Sequence, residues 1–578
     1  MLMNKTSVER LLLTVGFIVL ATALLSGQTN VTTWHNDNWR DGLNPSETVL
    51  TQSNVTSSQF GKLCKAVVDG QIFGQPLVVN TGGKNVVYVG TMNDSVYEID
   101  GTNCNQIAQV SLLQTSEIAV RCADIGGPNC YTVKPNVGIL GTPVIDTSTN
   151  TIYLVTETES TAGTCPTTKA NSCFTHRLHA LDLTTLAEKF GGPVTIAGVS
   201  QKVAFVSKNH IQRPGLLLLP KTWSNGDSTV YLGFSEMDGT GVVGVNIPRG
   251  WIFAFDAANL ASAPLVWTST PAVEGGGVWM SGAGLAAGLD GPSGNTYLYF
   301  LTGDGDFNVN TGGADYGDSF VKLTTNLTTV PNGYFTPYGQ ACMNTTDTDF
   351  GSGGVMLIPD SGSTYWAIGA GKDMNIYVMN RANPGGFTPP TNSTCPATGS
   401  NANQEYFKAS SHEYYTTPAY WNSALFYTAM FSPIIKYQVS LSTPPTCNPW
   451  PVCQTHTASS SVVFQYGPSL SISSSGTTTG TAIVWAVLGN GWPRKPAPTP
   501  APALLYAYDA EHVTNPHTIP ELWDSTKCPT RDQAGNATKF VVPTIANGFV
   551  YLGTMDPTDT TNTRGELDVF GLTQAVCN

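Results

Sequence analysis

The apolar residues of this chain fall in short runs rich in Val, Ile, Leu and aromatic residues, and turns containing Gly, Asn or Asp separate these runs. "GQPLVVNTGGKNVVYVGTMNDSVYEID" (residues 74–100) shows the pattern at its clearest. Runs of this length and composition, bounded by turn residues, predict β-strands joined by tight hairpins. No heptad pattern is sustained along the chain, so long helices are not predicted.

The same unit recurs along the chain: a strand that begins near Gly or Pro, a turn, an apolar strand with aromatic residues, and a strand that ends in a polar turn. Repetition of a small β unit predicts a radial architecture in which each sheet packs on its neighbours. We therefore predict an all-β fold, an eight-bladed β-propeller, with copies at residues 74–100, 141–190, 213–260, 277–327, 351–381, 416–440, 467–513 and 542–572.

The eighth copy ends one strand short, and "FGKLCKAVVDG" (residues 60–70) is a strand without a copy of its own. We predict that this N-terminal strand completes the last blade and closes the ring, because closure would cover an exposed sheet edge. The propeller is then expected to span residues 60–578, with loop insertions at 160–175, 389–403 and 493–503.

The first residues have the layout of a secretory signal peptide. Lys5 and Arg10 precede the apolar run Leu11–Leu25, and small residues follow it. This run is short for a membrane span. We therefore expect residues 1–27 to be removed on export, and the mature chain to lie in a periplasm or outside the cell without stable membrane insertion.

Cysteine content and charge narrow the function classes. The chain has 12 Cys, an even number that suits disulfides in an exported protein. Its net charge of −13 argues against nucleic-acid partners. The absence of a CxxCH motif argues against covalent haem, and the absence of CxxC argues against zinc. The closely spaced cysteines predict the disulfides Cys122–Cys130, Cys165–Cys173 and Cys447–Cys453.

One acidic stretch, "TGDGDFNVNTGGADYGDSF" (residues 302–320), has the oxygen spacing of an EF-hand calcium loop. An EF-hand also needs Gly at its sixth position, where this chain has Val309. Asp304 and Asp306 also suit ordinary tight turns. The stretch "HRLH" is no metal site, because His176 and His179 on one strand point to opposite faces.

The turns "ALDLTTLAEKF", "AFDAANLASAPLVW" and "AYDAEHVTNPHTIPELW" resemble the A-x-D-x-x-T-G-x-x-x-W repeat of the pyrroloquinoline-quinone (PQQ) propeller superfamily. That superfamily includes eight-bladed quinoprotein alcohol dehydrogenases and a non-catalytic outer-membrane assembly scaffold. The opening "WHNDNWRDGLNPSETVLTQSNV" resembles its N-terminal clasp, which would make residues 28–59 a clasp. The resemblance covers nearly all of the mature chain, and it implies fold more strongly than chemistry.

The resemblance also implies a site for Ca²⁺ and PQQ over the central channel. "GGGVWMSG" and "FLTGDGDF" place Trp279 under the quinone and Asp304 on calcium. In the third blade, "GFSEMD" offers Ser235 as a quinone contact and Asp238 as a calcium ligand, with Glu236 as a close competitor for that ligand position.

In the fifth blade, "TDFGSGGVMLI" matches the motif whose Asp is the catalytic base, which implies that role for Asp349. "GKDMNIYVMNR" offers Lys372 to polarise the quinone carbonyl, although Lys372 also suits a solvated pair with Asp373. Arg213 in "IQRPG" is placed to meet a quinone carboxylate. The superfamily covers the other quinone face with a vicinal Cys–Cys pair, and here Cys122 is followed by Ala123.

Two functions remain open from the sequence. One is a Ca²⁺- and PQQ-dependent dehydrogenase that oxidises an alcohol or sugar hydroxyl. The other is a non-catalytic propeller that binds a surface protein or glycan through its long polar insertions, as loops on rigid scaffolds often do.

Overall fold

The structure is a computed structural model that describes residues 28–125, 133–222, 227–236, 249–290, 294–360, 365–401, 404–441, 451–489, 500–514, 517–575 and 577. It is mostly β, with eight blades arranged in a ring. The predicted eight-bladed propeller is confirmed, and the predicted signal peptide (1–27) and most of the 493–503 insertion lie outside the described residues.

Each blade is an antiparallel sheet, and in blades 1 to 7 the inner strand comes first in the chain. The strands of blades 1 to 4 are Leu77–Thr81, Lys84–Gly90, Ser95–Asp100 and Gln106–Ser111; Val144–Asp146, Thr151–Ser160, Phe174–Asp182 and Val194–Thr195; Leu217–Leu219, Thr229–Glu236, Trp251–Asp256 and Leu265–Thr268; Ala286–Leu289, Thr296–Leu301, Phe320–Thr324 and Thr329–Thr336. Those of blades 5 to 8 are Met356–Leu357, Trp366–Ala370, Asn375–Asn380 and Glu405–Lys408; Ala419–Trp421, Ala424–Tyr427, Ile435–Val439 and Val452–Ser459; Ser471–Ser473, Ile483–Gly489, Ala503–Asp509 and Glu521–Asp524; Thr544–Ala546, Phe549–Met555, Gly565–Leu572 and Phe60–Val68.

Short elements extend the blades or join them. The further strands are Leu43–Asn44, Glu117–Arg121, Asn136–Val137, Val199–Ser200, Val203–Ala204, His210–Ile211, Gly386–Phe387 and Asn536–Ala537. The helical turns are Cys122–Asp124, Cys165–Thr168, Asn171–Cys173, Ser207–Asn209, Met280–Gly282, Val309–Thr311, Gln340–Thr345, Phe350–Ser352 and Pro529–Asp532.

The hydrophobic core is divided among the gaps between neighbouring blades. One buried cluster joins Tyr153 of blade 2 to Val230 and Trp251 of blade 3, and another joins Trp485 of blade 7 to Phe570 of blade 8. Alternate residues of each strand therefore face the blade before it and the blade after it. Blade-on-blade burial of this kind stabilises a ring that has no single central core.

The last blade takes its outer strand from the N-terminal part of the chain. Phe60–Val68 pairs antiparallel with Gly565–Leu572, and Phe60 lies opposite Leu572. A disulfide between Cys64 and Cys104 links this strand to blade 1. That this strand keeps the ring closed remains a prediction.

Residues 31–44, which we call the clasp segment, cross one end of the propeller axis. Their backbone or side-chain groups bond the inner strand of every blade, at Val78, Ile145, Leu218, Ala287, Leu357, Tyr420, Ile472 and Ile545. Arg40 of this segment is fully buried, and its guanidinium donates to the carbonyls of Leu285 and Trp34 at 2.8 Å each. This end of the channel is thus filled by protein.

Cysteines of the described residues form disulfides, which persist in oxidising environments. The described pairs are Cys64–Cys104, Cys165–Cys173, Cys342–Cys395 and Cys528–Cys577, so the predicted pair Cys165–Cys173 is confirmed. Cys130 and Cys447, from the other two predicted pairs, lie outside the described residues. Among the helices that the structure describes, none has the length and apolar content needed to cross a bilayer.

Candidate functional site

The candidate site lies at the end of the axis opposite the clasp segment. In an antiparallel blade, the residues before the inner strand and those after the second strand meet at the same end. Trp279 and Asp349 precede inner strands, whereas Asp304 and Lys372 follow second strands. Residues from blades 4 and 5 that are distant in sequence therefore converge at this mouth.

The centre of the site is a group of three carboxylates, two of which pair with one lysine. Asp304, Asp347 and Asp349 each offer an oxygen, and these oxygens lie within 4.8 Å of one another. Lys372 Nζ forms an ion pair with Asp349 and another with Asp347 Oδ1 at 2.6 Å. Asp349 Oδ1 also accepts the backbone N–H of Asp304 at 2.9 Å. Gly303 permits this approach, because a Cβ there would lie 2.7 Å from the same oxygen.

The two inner carboxylates are driven to opposite protonation states. Burial, followed by the hydrogen bond and charge of Asp349, raises the pKa of Asp304 to about 10. Burial would raise the pKa of Asp349 too, but the charge of Lys372 together with hydrogen bonds from Lys372 and Asp304 lowers this pKa to about 2. At neutral pH Asp304 therefore carries a proton and Asp349 is ionised. Paired titratable groups pushed apart in this way are typical of functional sites.

The third blade supplies the next acidic side chain. Glu236 ends the strand Thr229–Glu236, and its charge contributes to the raised pKa of Asp304. Ser235 and Glu236 both face Gly277, where a Cβ would lie 2.3 Å from Ser235 Oγ and 2.8 Å from Glu236 Oε2. The backbone of Gly277 in turn bonds that of Gly303 at 2.9 Å. The predicted ligand Asp238 lies outside the described residues, and its competitor Glu236 is beside the cluster.

Trp279 belongs to an aromatic group at the same mouth. Its ring meets Phe540 at a centroid distance of 5.4 Å and Tyr415 at 6.5 Å, nearly perpendicular in both cases. Lys539 Nζ lies 6.0 Å from the Trp279 ring centroid. Tyr415 also interacts electrostatically with Lys372, so it connects the aromatic group to the carboxylates. Trp279 is half-buried, as a stacking surface needs to be.

Arg213 lies deeper than the resemblance suggested. It is buried, and its guanidinium donates to the carbonyls of Leu140 at 3.1 Å and Lys539 at 3.3 Å. Gly282, at φ +93°, leaves room for it, because a Cβ there would lie 2.1 Å from Arg213 Nη1. Burial lowers the pKa of Arg213 to about 10. Its described hydrogen bonds go to these two carbonyls, and its guanidinium packs against Gly282.

Sequence reasoning missed Asp347, Tyr415 and Phe540. Asp347 stands two residues before Asp349 in "TDTDF", and this spacing was the signal available for it. The two aromatic residues precede the inner strands of blades 6 and 8, outside the motifs that resemble the superfamily.

The EF-hand spacing in residues 302–320 has another explanation. Asn308 and Asp315 bond each other across a hairpin, with Asn308 Oδ1 accepting the Asp315 N–H at 2.9 Å. Asp306 Oδ1 accepts from Asn344 at 3.1 Å. Asp304 of this stretch belongs to the carboxylate cluster, and the buried Asp318 lies close enough for its charge to contribute to the raised pKa of Asp304.

No protein-family model matches the chain, and no curated protein matches it. Solved structures define the class: the fold is an eight-bladed propeller like those of quinoprotein dehydrogenases. The quinohemoprotein alcohol dehydrogenase of Comamonas testosteroni matches at 14% identity and a TM-score of 0.56, covering 96% of this chain and 82% of that one. The quinohemoprotein alcohol dehydrogenase ADHIIG of Pseudomonas putida HK5 matches at 13% identity and a TM-score of 0.55, covering 95% and 81%.

A europium-containing methanol dehydrogenase matches at 12% identity and a TM-score of 0.51, covering 94% of this chain and 98% of that one. BamB from Moraxella catarrhalis aligns with a TM-score of 0.30, which is too low to support a structural comparison. At these identities the likeness establishes the fold, and the chemistry of this chain has to be argued from its own residues.

Proposed function

We propose that the protein is an exported, cation- and quinone-dependent oxidoreductase that oxidises a hydroxyl group of a small alcohol or sugar. The observation that carries the proposal is the convergence of Asp304, Asp347 and Asp349, the last two paired with Lys372, beside the half-buried ring of Trp279. The disulfides support export, because such bonds persist in oxidising compartments.

The carboxylates fit a hard cation such as Ca²⁺. Carboxylate oxygens are its preferred ligands, and Asp304 and Glu236 would supply them from blades 4 and 3. The proton that Asp304 holds at neutral pH marks a place where negative charges crowd together. A cation there would replace that proton and relieve the repulsion.

The residues also fit a quinone on one face. Trp279 would carry the ring, Ser235 would meet its edge, and Lys372 would polarise a carbonyl; Arg213 would hold backbone carbonyls rather than reach a carboxylate. Cys122 packs in an apolar cluster with Phe73 and Leu140 and is followed by Ala123, so a vicinal disulfide cover is missing. When bound, the quinone would supply a two-electron acceptor for the hydrogen on the alcohol carbon. We expect it to be retained less tightly than in a two-sided site.

Asp349 would act as the general base. Its low pKa keeps it ionised throughout the neutral range, so an oxygen is available to accept the proton of the substrate hydroxyl. Because the same low pKa favours the ionised form, Asp349 would pass that proton on to solvent. Lys372 would hold the carboxylate in place and balance its charge.

The test begins with the cation. Europium luminescence of the purified mature chain would be titrated with and without Ca²⁺ as competitor. We expect Asp304→Asn to weaken Eu³⁺ binding about 10-fold or more. Asp306→Asn is the matched control, since Asp306 is two residues away and bonds Asn344 outside the cluster.

The second part adds PQQ and Ca²⁺ and measures dye-linked oxidation of primary alcohols and aldoses. Turnover that depends on both additions would support the proposal. Equal Eu³⁺ binding by the two variants, or a folded protein that neither retains quinone nor oxidises any substrate, would contradict it. The non-catalytic alternative would then be the better account of the fold.

A further inference from the structure

The opposite face of the propeller, where the clasp segment lies, carries two cavities that the proposed oxidoreductase site does not use. Their volumes are about 460 Å³ and 380 Å³, within the range of small-molecule sites. Asn36, Asp37 and Trp39 line both of them. The short loop 36–39 is therefore a ridge between two depressions, and a ligand could contact it from both sides.

The lining combines an aromatic ring with amide and carboxylate groups. Trp39 is half-buried, and Asn30 and Asn44 line the larger cavity beside Asp37. A pyranose has an apolar C–H face that suits an indole ring and a rim of hydroxyls that suits groups able to accept or donate hydrogen bonds. None of the described residues lining either cavity is Lys, Arg or His, so nothing there favours an anion.

The ridge is also held in place before any ligand arrives. The carboxylate of Asp37 accepts the N–H groups of Trp39 at 2.9 Å and Arg40 at 2.8 Å. The carbonyl of Trp39 accepts the N–H of Leu357 at 2.8 Å, which fixes the ridge to blade 5. Groups fixed in this way lose little conformational entropy on binding.

We propose that this face binds a neutral oligosaccharide, whose sugar units occupy the two depressions on either side of the ridge and stack on Trp39. Asn36 and Asp37 bond the sugar hydroxyls. The proposal is independent of the reaction at the opposite mouth, so either can fail without the other.

Isothermal titration of the mature chain with neutral tetrasaccharides (maltotetraose, cellotetraose, chitotetraose and mannotetraose) tests the proposal, with tetragalacturonate as the anionic comparison. We expect at least one neutral sugar to bind, and Trp39→Leu to weaken it about 10-fold or more, near 1.4 kcal/mol. Trp279→Leu is the control on the other face, and it should leave this binding unchanged.

Asn36→Gly keeps the test decisive if Trp39→Leu fails to fold. Asn36 has φ 72°, which Gly adopts without strain, so this variant removes only the amide. It too should weaken the sugar severalfold. The proposal is overturned if no neutral sugar binds below about 10 mM, if both ridge variants bind like the wild type, if tetragalacturonate binds more tightly, or if Trp279→Leu alone abolishes binding.

Discussion

Asp349 and its neighbour Asp347 share Lys372 but differ sharply in burial. The Asp347 side chain is 80% exposed, whereas that of Asp349 is 19% exposed and also accepts the N–H of Asp304. If Asp349 is the base, Asp349→Asn should lower kcat about 10² to 10⁴-fold, because an amide cannot accept the substrate proton. Asp347→Asn should change kcat by less than about 10-fold. Steady-state rates with saturating alcohol, Ca²⁺ and PQQ measure both effects, and equal losses would remove Asp349 from the role.

Part of this site was predictable from the sequence. Asp304, Asp349, Lys372 and Trp279 stand in motifs whose order along the chain matches the order of the blades, and the structure brings them to one mouth. Asp347 and Tyr415 have no such motif, since their approach depends on how adjacent blades are oriented. The burial of Arg213 could not be predicted from the sequence either, because it depends on the space that the turn at Gly282 leaves for the guanidinium.

At the scale of elements, two segments each depend on a buried neutral histidine. His210, in the strand His210–Ile211, donates from Nδ1 to the Val206 carbonyl at 2.7 Å and accepts the Trp251 indole N–H at Nε2. His35 in the clasp segment bonds the Arg40 carbonyl. Burial lowers the pKa of His210 to about 3 and that of His35 to about 4. Protonation of His210 would set a new N–H against the Trp251 donor.

We therefore expect stability to fall on the acid side. Both folded-state pKa values lie below the ordinary value of about 6.5. At pH values between a folded-state pKa and 6.5, the unfolded chain therefore binds more protons than the folded chain. The stabilisation is complete above pH 6.5 and is lost as the pH falls toward 4, by up to about 1.4 kcal/mol per pH unit for each histidine. Urea unfolding from pH 8 to pH 4.5 would measure the slope.

A matched pair of variants isolates the histidine contribution. His210→Asn should be less stable at pH 8 but show a shallower acid slope. His512→Asn is the control, because the His512 side chain is 61% exposed and Asp509 raises its pKa. A raised pKa gives a pH dependence of stability with the opposite sign. An unchanged slope in His210→Asn would show that this imidazole is not what makes the fold sensitive to acid.

At the scale of the whole molecule, the ring could be predicted from the sequence because each blade repeats a local pattern of short apolar strands and polar turns. The path of the clasp segment could not be predicted in this way. Its sequence "VTTWHNDNWRDGLN" has no hydrophobic period, and its path depends on left-handed backbone at His35, Asn36, Arg40 and Gly42. Contacts with eight separate strands cannot be read from a segment that has no periodicity of its own.

Removal of the disulfide Cys64–Cys104 would test whether the strand Phe60–Val68 keeps the ring closed. This disulfide joins the outer strand of blade 8 to blade 1 across 40 residues, whereas Cys165–Cys173 closes only 8 residues within one insertion. Chain entropy alone would give about 4 kcal/mol for the first and about 2.5 kcal/mol for the second. Replacing both cysteines of the first pair by Ser should lower the global unfolding midpoint, as followed by calorimetry.

The same replacement at Cys165 and Cys173 serves as the comparison. We expect it to loosen the insertion locally, with a smaller shift in the global midpoint. If the two double variants melt alike, the strand Phe60–Val68 is not what keeps the ring shut.

The clasp segment closes one end of the central channel, so the channel is open only at the mouth that carries the carboxylates. Whatever reacts beside Asp349 has to arrive and depart through the same opening, so product and fresh substrate compete for one route. A long polymer cannot be threaded through such a channel, and it can present only a chain end to the acids at the rim. If the proposed oxidation takes place here, its substrates are expected to be small molecules and the chain ends of larger ones.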